Sequence, residues 1–292
     1  MEWQEVLFRL FKNKVSLIGL VIVIVLALIA IFAPWIAPPE KPDEPYLIPR
    51  AGWMFEPQPP SSEHIFGTAE GQYDIFYGII WGTRTAFMIG FIVVGISTLI
   101  GIIVGTIAAY YGGWIDEILM RITDIFMSIP FVIATIVMTT ILGKGIPNMM
   151  IALITFGWMA TARLMRSQVL SIKNEEFVQA AHALGANDLR IISRHILFNT
   201  IFPVLIQASM RMGTIVITAA TLSFLGIGAP EGYADWGQMI SYARNWIIGG
   251  QGNALKYWFT VVVPGSAITL FCLCWNLIGD AFRDILDPKM QG

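Results

Sequence analysis

From Val15 to Pro39 the chain carries no charged side chain. A helix needs about 20 apolar residues to cover the hydrocarbon core of a bilayer, and this run supplies them. A signal peptide has a shorter apolar region and a small-residue cleavage site. Here the run closes on Ala33-Pro34-Trp35-Ile36-Ala37-Pro38-Pro39, so an uncleaved first transmembrane helix is expected over 15–37. Ahead of it, residues 1–14 place Trp3, Val6, Leu7, Leu10 and Phe11 on one helical face, the pattern of an interfacial amphipathic helix. Arg9, Lys12 and Lys14 put that end in the cytoplasm.

The rest of the chain repeats the theme. Charged residues make up 13% of the sequence against 56% hydrophobic, where a soluble domain carries about a quarter charged. This is the composition of an all-α polytopic membrane protein. A Pro-rich, acidic stretch over 38–84 has the character of an extracytoplasmic segment. Beyond it, 85–279 holds five further spans: Thr85–Ile115, Ile118–Leu142 broken at Pro130, Ile146–Leu164, a helix from about Pro203 to Gly226, and Tyr257–Gly279. Gly90, Gly95, Gly101 and Gly105 give the second span small faces for close helix contact. An outer loop is expected over 227–256 and a cytoplasmic tail over 280–292. Six spans with both termini inside agree with the distribution of Lys and Arg. Ten lie in inner segments, from Arg9 to Lys289, and six (Lys41, Arg50, Arg84, Lys144, Arg244, Lys256) in outer ones.

Several function classes lose support at this stage. A net charge of −2 with no basic run argues against a nucleic-acid surface. Cys272 and Cys274, two apart on a helix, point to different sides and form neither a disulfide nor a metal pair. His64, His182 and His195 have no partner at metal-ligand spacing and read as loop residues. Asp280, Asp284 and Asp287 read as anchors of the tail, and Trp236, Trp246 and Trp258 as interfacial anchors. No catalytic constellation and no Gly-x-x-x-x-Gly-Lys-Ser/Thr phosphate loop occurs, so no enzyme activity and no bound cofactor are expected of the chain itself.

Two intramembrane charges stand out. Arg211 lies deep in the fifth span and Asp124 at a similar depth in the third. A charge so placed faces protein or water and has a partner. An Arg211–Asp124 pair is one reading; snorkelling of Arg211, its contact with a partner subunit, and contact with a substrate such as a peptide carboxylate are others.

Between the fourth and fifth spans lies a less apolar stretch, Asn174-Glu175-Glu176-Phe177-Val178-Gln179-Ala180-Ala181-His182-Ala183-Leu184-Gly185-Ala186-Asn187-Asp188. Asn174 is suited to cap a helix, Glu175 and Glu176 suit its first turn, and Gly185 can end it in the left-handed region. Ala180, Ala181 and Ala183 leave one side low, open to close approach by another protein. Gln179-Ala180-Ala181, with Gly185 and then Leu197, resembles the EAA loop of ATP-binding-cassette importer permeases. It departs at Gln179, where that loop has Glu, and at Phe198, where it has Pro.

Further motifs extend the resemblance from about residue 64 onward. They are His64-Ile65-Phe66-Gly67-Thr68, Asp74-Ile75-Phe76, Gly82-Thr83-Arg84-Thr85, Asp124-Ile125-Phe126-Met127-Ser128-Ile129-Pro130 and Leu222-Ser223-Phe224-Leu225-Gly226-Ile227-Gly228. Trp236-Gly237, Asn276-Leu277-Ile278-Gly279-Asp280, Arg283-Asp284 and Leu286-Asp287-Pro288 complete the set. Together they resemble the second permease of dipeptide, oligopeptide and nickel importers. The resemblance implies a type I importer permease fold in a prokaryotic cell membrane, with peptides as the expected cargo and oligosaccharides or nickel as alternatives. It implies four kinds of partner: a second permease, two cytoplasmic ATPases that hold ATP and Mg, an extracytoplasmic solute-binding protein, and lipid. Within the loop over 171–200 it implies ATPase contact by Glu176, Gln179, Ala180, Ala181, Leu184 and Gly185. An ion-coupled secondary transporter is the reading from another class, but it needs more buried ionisable residues and an internal repeat.

Overall fold

A computed structural model describes residues 14–248 and 254–286. The expected interfacial helix lies outside the described residues apart from Lys14, and so does the tail beyond residue 286. Among the described residues the chain is helical, with isolated bridges at Leu47–Tyr233, Arg50–Tyr73 and Thr68–Asp74 in place of a sheet. Five helices are long and apolar enough to cross a membrane, and a bent pair makes a sixth crossing if it counts as one span.

Helix α1 runs over Lys14–Ile36, where the first span is expected over 15–37. Helix α2, Ile75–Tyr111, is the longest element at 37 residues and starts ten residues before the expected Thr85. The Asp74 carboxylate caps it, accepting from Tyr77 N at 2.8 Å. Arg84 does not stop the helix because its guanidinium stacks over the Trp81 ring, 5.2 Å from the centroid. A charge near an interface ends the uncharged run without ending the helix. Gly112, at φ +67°, closes α2 with its N–H on Ala108 O.

The third span is broken as Pro130 requires. Helices α3, Gly113–Met127, and α4, Phe131–Leu142, meet at 84°. The expected fourth span is interrupted as well, into α5, Ile146–Thr155, and α6, Met159–Ile172. After the loop helix α7, Glu176–Ala183, a π-helical stretch over Ile191–Ile196 runs into α8, Leu197–Phe224. Pro203 therefore lies inside α8, where it removes one backbone hydrogen bond without ending the helix. Helix α9, Trp236–Tyr242, is part of the outer loop, and α10, Phe259–Leu286, carries the last span seven residues past the expected Gly279.

Close packing follows the glycines. A Cβ on Gly105 would stand 2.3 Å from Ala162 O, and one on Gly101 would stand 2.6 Å from Thr161 Cβ, so α2 and α6 touch backbone to backbone. Gly90 similarly receives Met212 of α8. Gly95 was expected to share this role, yet a Cβ there meets nothing within 4 Å.

The outer segment is tied down rather than loose. Tyr46 and Tyr233 stack at 5.3 Å, Ala234 N donates to Tyr46 O at 2.7 Å, and Trp81 Nε1 donates to Ala37 O at 2.9 Å. Trp236, expected as an interfacial anchor, is only 2% exposed. Its indole fills the space left by Gly82 and its Nε1 donates to Ile79 O at 3.3 Å, which satisfies the group without water. Trp246 donates to Glu70 Oε2 at 2.7 Å, and Trp258 stays half exposed.

Asp235 caps α9 by accepting from Gln238 N at 2.9 Å and is itself buried. Burial pushes its carboxyl from an ordinary 3.8 up to about 6, against the opposing hydrogen bonds from Gln238, Ser223 and Gly237. Between those two values the folded chain binds the proton more readily than the unfolded one. This contribution to stability is therefore full below the unfolded value, falls as pH rises through the window, and is flat above it.

Two outcomes are expected. Asp235→Asn keeps an N-cap acceptor and removes the titration, so its thermal midpoint falls less than that of the wild type between about pH 4 and 7. Gly105→Leu forces α2 from α6 and costs on the order of 1–3 kcal/mol or more, whereas Gly95→Leu is tolerated. Thermal unfolding of the detergent-solubilised protein measures both.

Candidate functional site

Helix α7 is built by local chemistry at both ends. Its cap is Glu175, one residue later than the expected Asn174, and the cap works through the backbone, with Val178 N donating to Glu175 O. Asn174 instead offers its carbonyl to Gln179 Nε2 at 2.9 Å, so the side chain at this departure from the EAA pattern is held against the helix start. At the other end Gly185 takes φ +77°, with Gly185 N on His182 O and Ala186 N on Ala181 O. These two bonds form a Schellman motif, which only a residue at ease in the left-handed region closes without strain.

The helix has two faces. Val178 and Ala181 are 1% and 8% exposed, and they pack into a cluster with Met165, Val169, Ile191 and Ile196. Ala181 therefore belongs to the inner face of the loop and not to its surface, which corrects its place in the expected contact set. Glu176, Gln179, Ala180, Leu184 and Gly185 are exposed, Leu184 at 88%. Phe177 at 42% and Leu189 at 75% add apolar surface that sequence reasoning left out. Their signal was a large apolar residue flanking a polar loop helix.

The loop is anchored to the spans by polar contacts. Tyr110, next to the end of α2, donates to Asp188 Oδ1 at 2.8 Å and stacks its ring with His182 at 6.3 Å. Lys173 Nζ donates to Ala109 O at 2.9 Å, and Arg166 grips Asp116 through two bonds of 2.6 Å. A bidentate guanidinium–carboxylate pair fixes orientation as well as distance. His182 is thus a packed contact of Tyr110, and His64 in the outer segment pairs with Asp74 at 2.7 Å.

The intramembrane charges separate. The Arg211–Asp124 ion pair does not form. Asp124 pairs with Arg163 of α6, while Arg211 donates to Thr161 Oγ1 at 3.1 Å and to Gly157 O. The partners divide along α6: Arg163 reaches Asp124 of α3, while Thr161, two residues earlier, takes Arg211. Among the described residues no carboxylate comes within ion-pair distance of Arg211. The described residues contain no group of three or more His, Cys, Asp or Glu set to hold a metal.

Comparison with known proteins places this architecture. Residues 97–292 match the family "Binding-protein-dependent transport system inner membrane component", and residues 2–60 match the N-terminal TM domain of oligopeptide transport permease C. The dipeptide transport system permease protein DppC of Alkalihalophilus pseudofirmus is 39% identical over 99% of this chain and 90% of its own length. The oligopeptide permease OppC of Bacillus subtilis is 34% identical over 99% and 90%. The glutathione transport system permease GsiD of Escherichia coli is 37% identical over 99% and 91%. An inward-facing structure of the MetNI methionine ABC transporter shares the fold, with a TM-score of 0.56 at 19% identity over 73% of this chain and 98% of that one. The chain therefore belongs to the inner-membrane components of binding-protein-dependent transport systems, as a multi-pass permease subunit of a bacterial ABC importer of the DppC/OppC type.

Proposed function

We propose that this permease lines half of a two-permease path for di- or oligopeptides and takes up ATPase motion through α7. The observation that carries the coupling reading is the division of that helix. One face is locked into the span ends by Val178, Ala181 and the Tyr110–Asp188 bond, and the other is presented with Ala180, Leu184, Phe177 and Leu189 uncovered. A helix held this way transmits a push as a rigid body, because packed neighbours shift together or not at all. The contact set is Glu176, Gln179, Ala180, Leu184 and Gly185, widened by Phe177 and Leu189, with Ala181 as its internal support.

In this reading the N-terminus, the α7 loop and the C-terminus are cytoplasmic, and the layer built from 38–74, 227–248 and 254–256 faces outward. A solute-binding protein delivers cargo to that outer layer, and two ATPase subunits holding ATP and Mg seat α7 in a groove. Peptide cargo rests on the dipeptide, oligopeptide and glutathione systems to which the similar permeases belong. Oligosaccharide and nickel are the alternative cargoes.

The test reconstitutes the chain with its partner permease, ATPases and binding protein, and measures ATPase stimulation by di- and oligopeptides, nickel and short glycans. Stimulation by peptides alone supports the cargo reading; stimulation by another class replaces it. Uptake that follows a proton or sodium gradient without ATP supports an ion-coupled transporter instead. For the coupling helix, Gly185→Arg is expected to cut uptake by about tenfold or more while ATPase activity persists. Gly185→Ala carries the same left-handed strain of about 1–2 kcal/mol without the bulk, and nothing within 4 Å opposes its Cβ. Full transport by Gly185→Arg removes α7 from the ATPase contact.

A further inference from the structure

Arg211 stands midway along α8, roughly 20 Å from either end of the helix. Its two hydrogen bonds, to Thr161 Oγ1 and Gly157 O, go to neutral acceptors. They satisfy donors but leave the charge uncompensated, and a cation at such depth is costly without an anion or water beside it. The guanidinium also lines a cleft of about 290 Å³, at the small end of small-molecule sites, which run from roughly 300 to 1,000 Å³.

The walls of that cleft are apolar, from Met127, Ile129, Phe131, Phe156 and Ile215, with Thr214 beside the arginine. It lies beside two breaks between helices. Both the 84° break between α3 and α4 and the interruption at residues 156–158 open onto it. Non-helical backbone at membrane depth is tolerated only against protein or a water-filled cavity, so this cleft is not a lipid-facing surface. Gly157 is required by close packing there, since a Cβ would stand 2.6 Å from Leu153 O and 2.7 Å from Ser97 Oγ. The uncapped start of α4, at Phe131, adds a weaker positive potential.

We infer that Arg211 and this cleft form a transient carboxylate site in the translocation path, which receives the C-terminal carboxylate of a passing peptide with its last side chain against the apolar walls. Thr161 and Gly157 each take one hydrogen from the terminal nitrogens Nη1 and Nη2, which leaves Nε–H and the remaining Nη hydrogens for an arriving carboxylate. Fixing the arginine this way reduces the ordering cost when the anion arrives. The inference rests on the peptide-cargo reading above and adds a residue and a chemical group to it.

The test uses the complete importer in proteoliposomes and compares uptake of one peptide as its free acid and as its C-terminal amide, each at a concentration that saturates the binding protein. The readout is the ratio of the two uptake rates, which does not depend on how much complex has folded. In the wild type the free acid is favoured by about tenfold or more, the scale of a charge-assisted hydrogen bond. Arg211→Gln brings the ratio near one, mainly by slowing the acid, and Arg211→Lys retains part of the preference. A wild-type ratio near one, or an unchanged ratio in Arg211→Gln, overturns the inference. Equal loss of both peptides in Arg211→Gln also overturns it, and assigns the arginine to a carboxylate of the partner permease or to packing. Absence of all peptide uptake by a wild-type complex that moves another cargo overturns the peptide reading itself, and this site with it.

Discussion

Hydrocarbon offers no hydrogen-bond partner to a peptide group, and the whole architecture follows from that single constraint. The chain answers it with helices that bond their own backbone, and among the described residues it breaks its spans near Pro130 and near Gly157. Both departures converge on the same region of α8, where Arg211 gives one freed carbonyl, that of Gly157, a donor. The arginine thus serves the backbone first, and its charge is what remains to be answered by chemistry.

Close approach is the second organising fact. Because lipid tails are as apolar as leucine, helices in a membrane gain little from burying apolar area and depend on fit. Gly101 and Gly105 let α2 lie directly on α6, and Gly213 lets α8 lie on α10 beside Cys272. Those contacts hold the loop helix indirectly, since α6 leads into it and α2 supplies Tyr110. The layer that 38–74 forms with Tyr233 and Ala234 is held by different means, aromatic stacking and backbone bridges.

What could be read in the sequence was what local chemistry decides. The spans followed from uncharged runs, the break at Pro130 from the missing N–H, and the end of α7 from a glycine free to take positive φ. What could not be read was decided by partners distant in sequence. The start of α2 at Ile75 depends on Asp74 and on Arg84 finding Trp81. Trp236 looked like an interfacial residue until Gly82, more than a hundred residues away, opened room for it. Depth along separate helices suggested Arg211 with Asp124, but rotation about each helix axis delivered Asp124 to Arg163. Within the loop, periodicity marked a low alanine face without revealing that Ala181 turns inward and Leu184 outward.

Helix α2 has a mechanical side as well. At 37 residues it is a rod of roughly 55 Å, well beyond the hydrocarbon thickness of about 30 Å. One end is capped by Asp74, which is bonded to His64, and the other carries Tyr110, bonded to Asp188 of the loop. A rod pivoting where Gly101 and Gly105 meet α6 behaves as an unequal seesaw. The arm toward the loop is short, about 10 to 15 Å, and the other about 40 Å, so a rigid tilt that moved the loop end by about 1 Å would move the Asp74 end by roughly 3 Å. The same leverage would run in reverse with reduced travel and greater force, so a load at the Asp74 end would reach the α7 loop through a single unbroken helix.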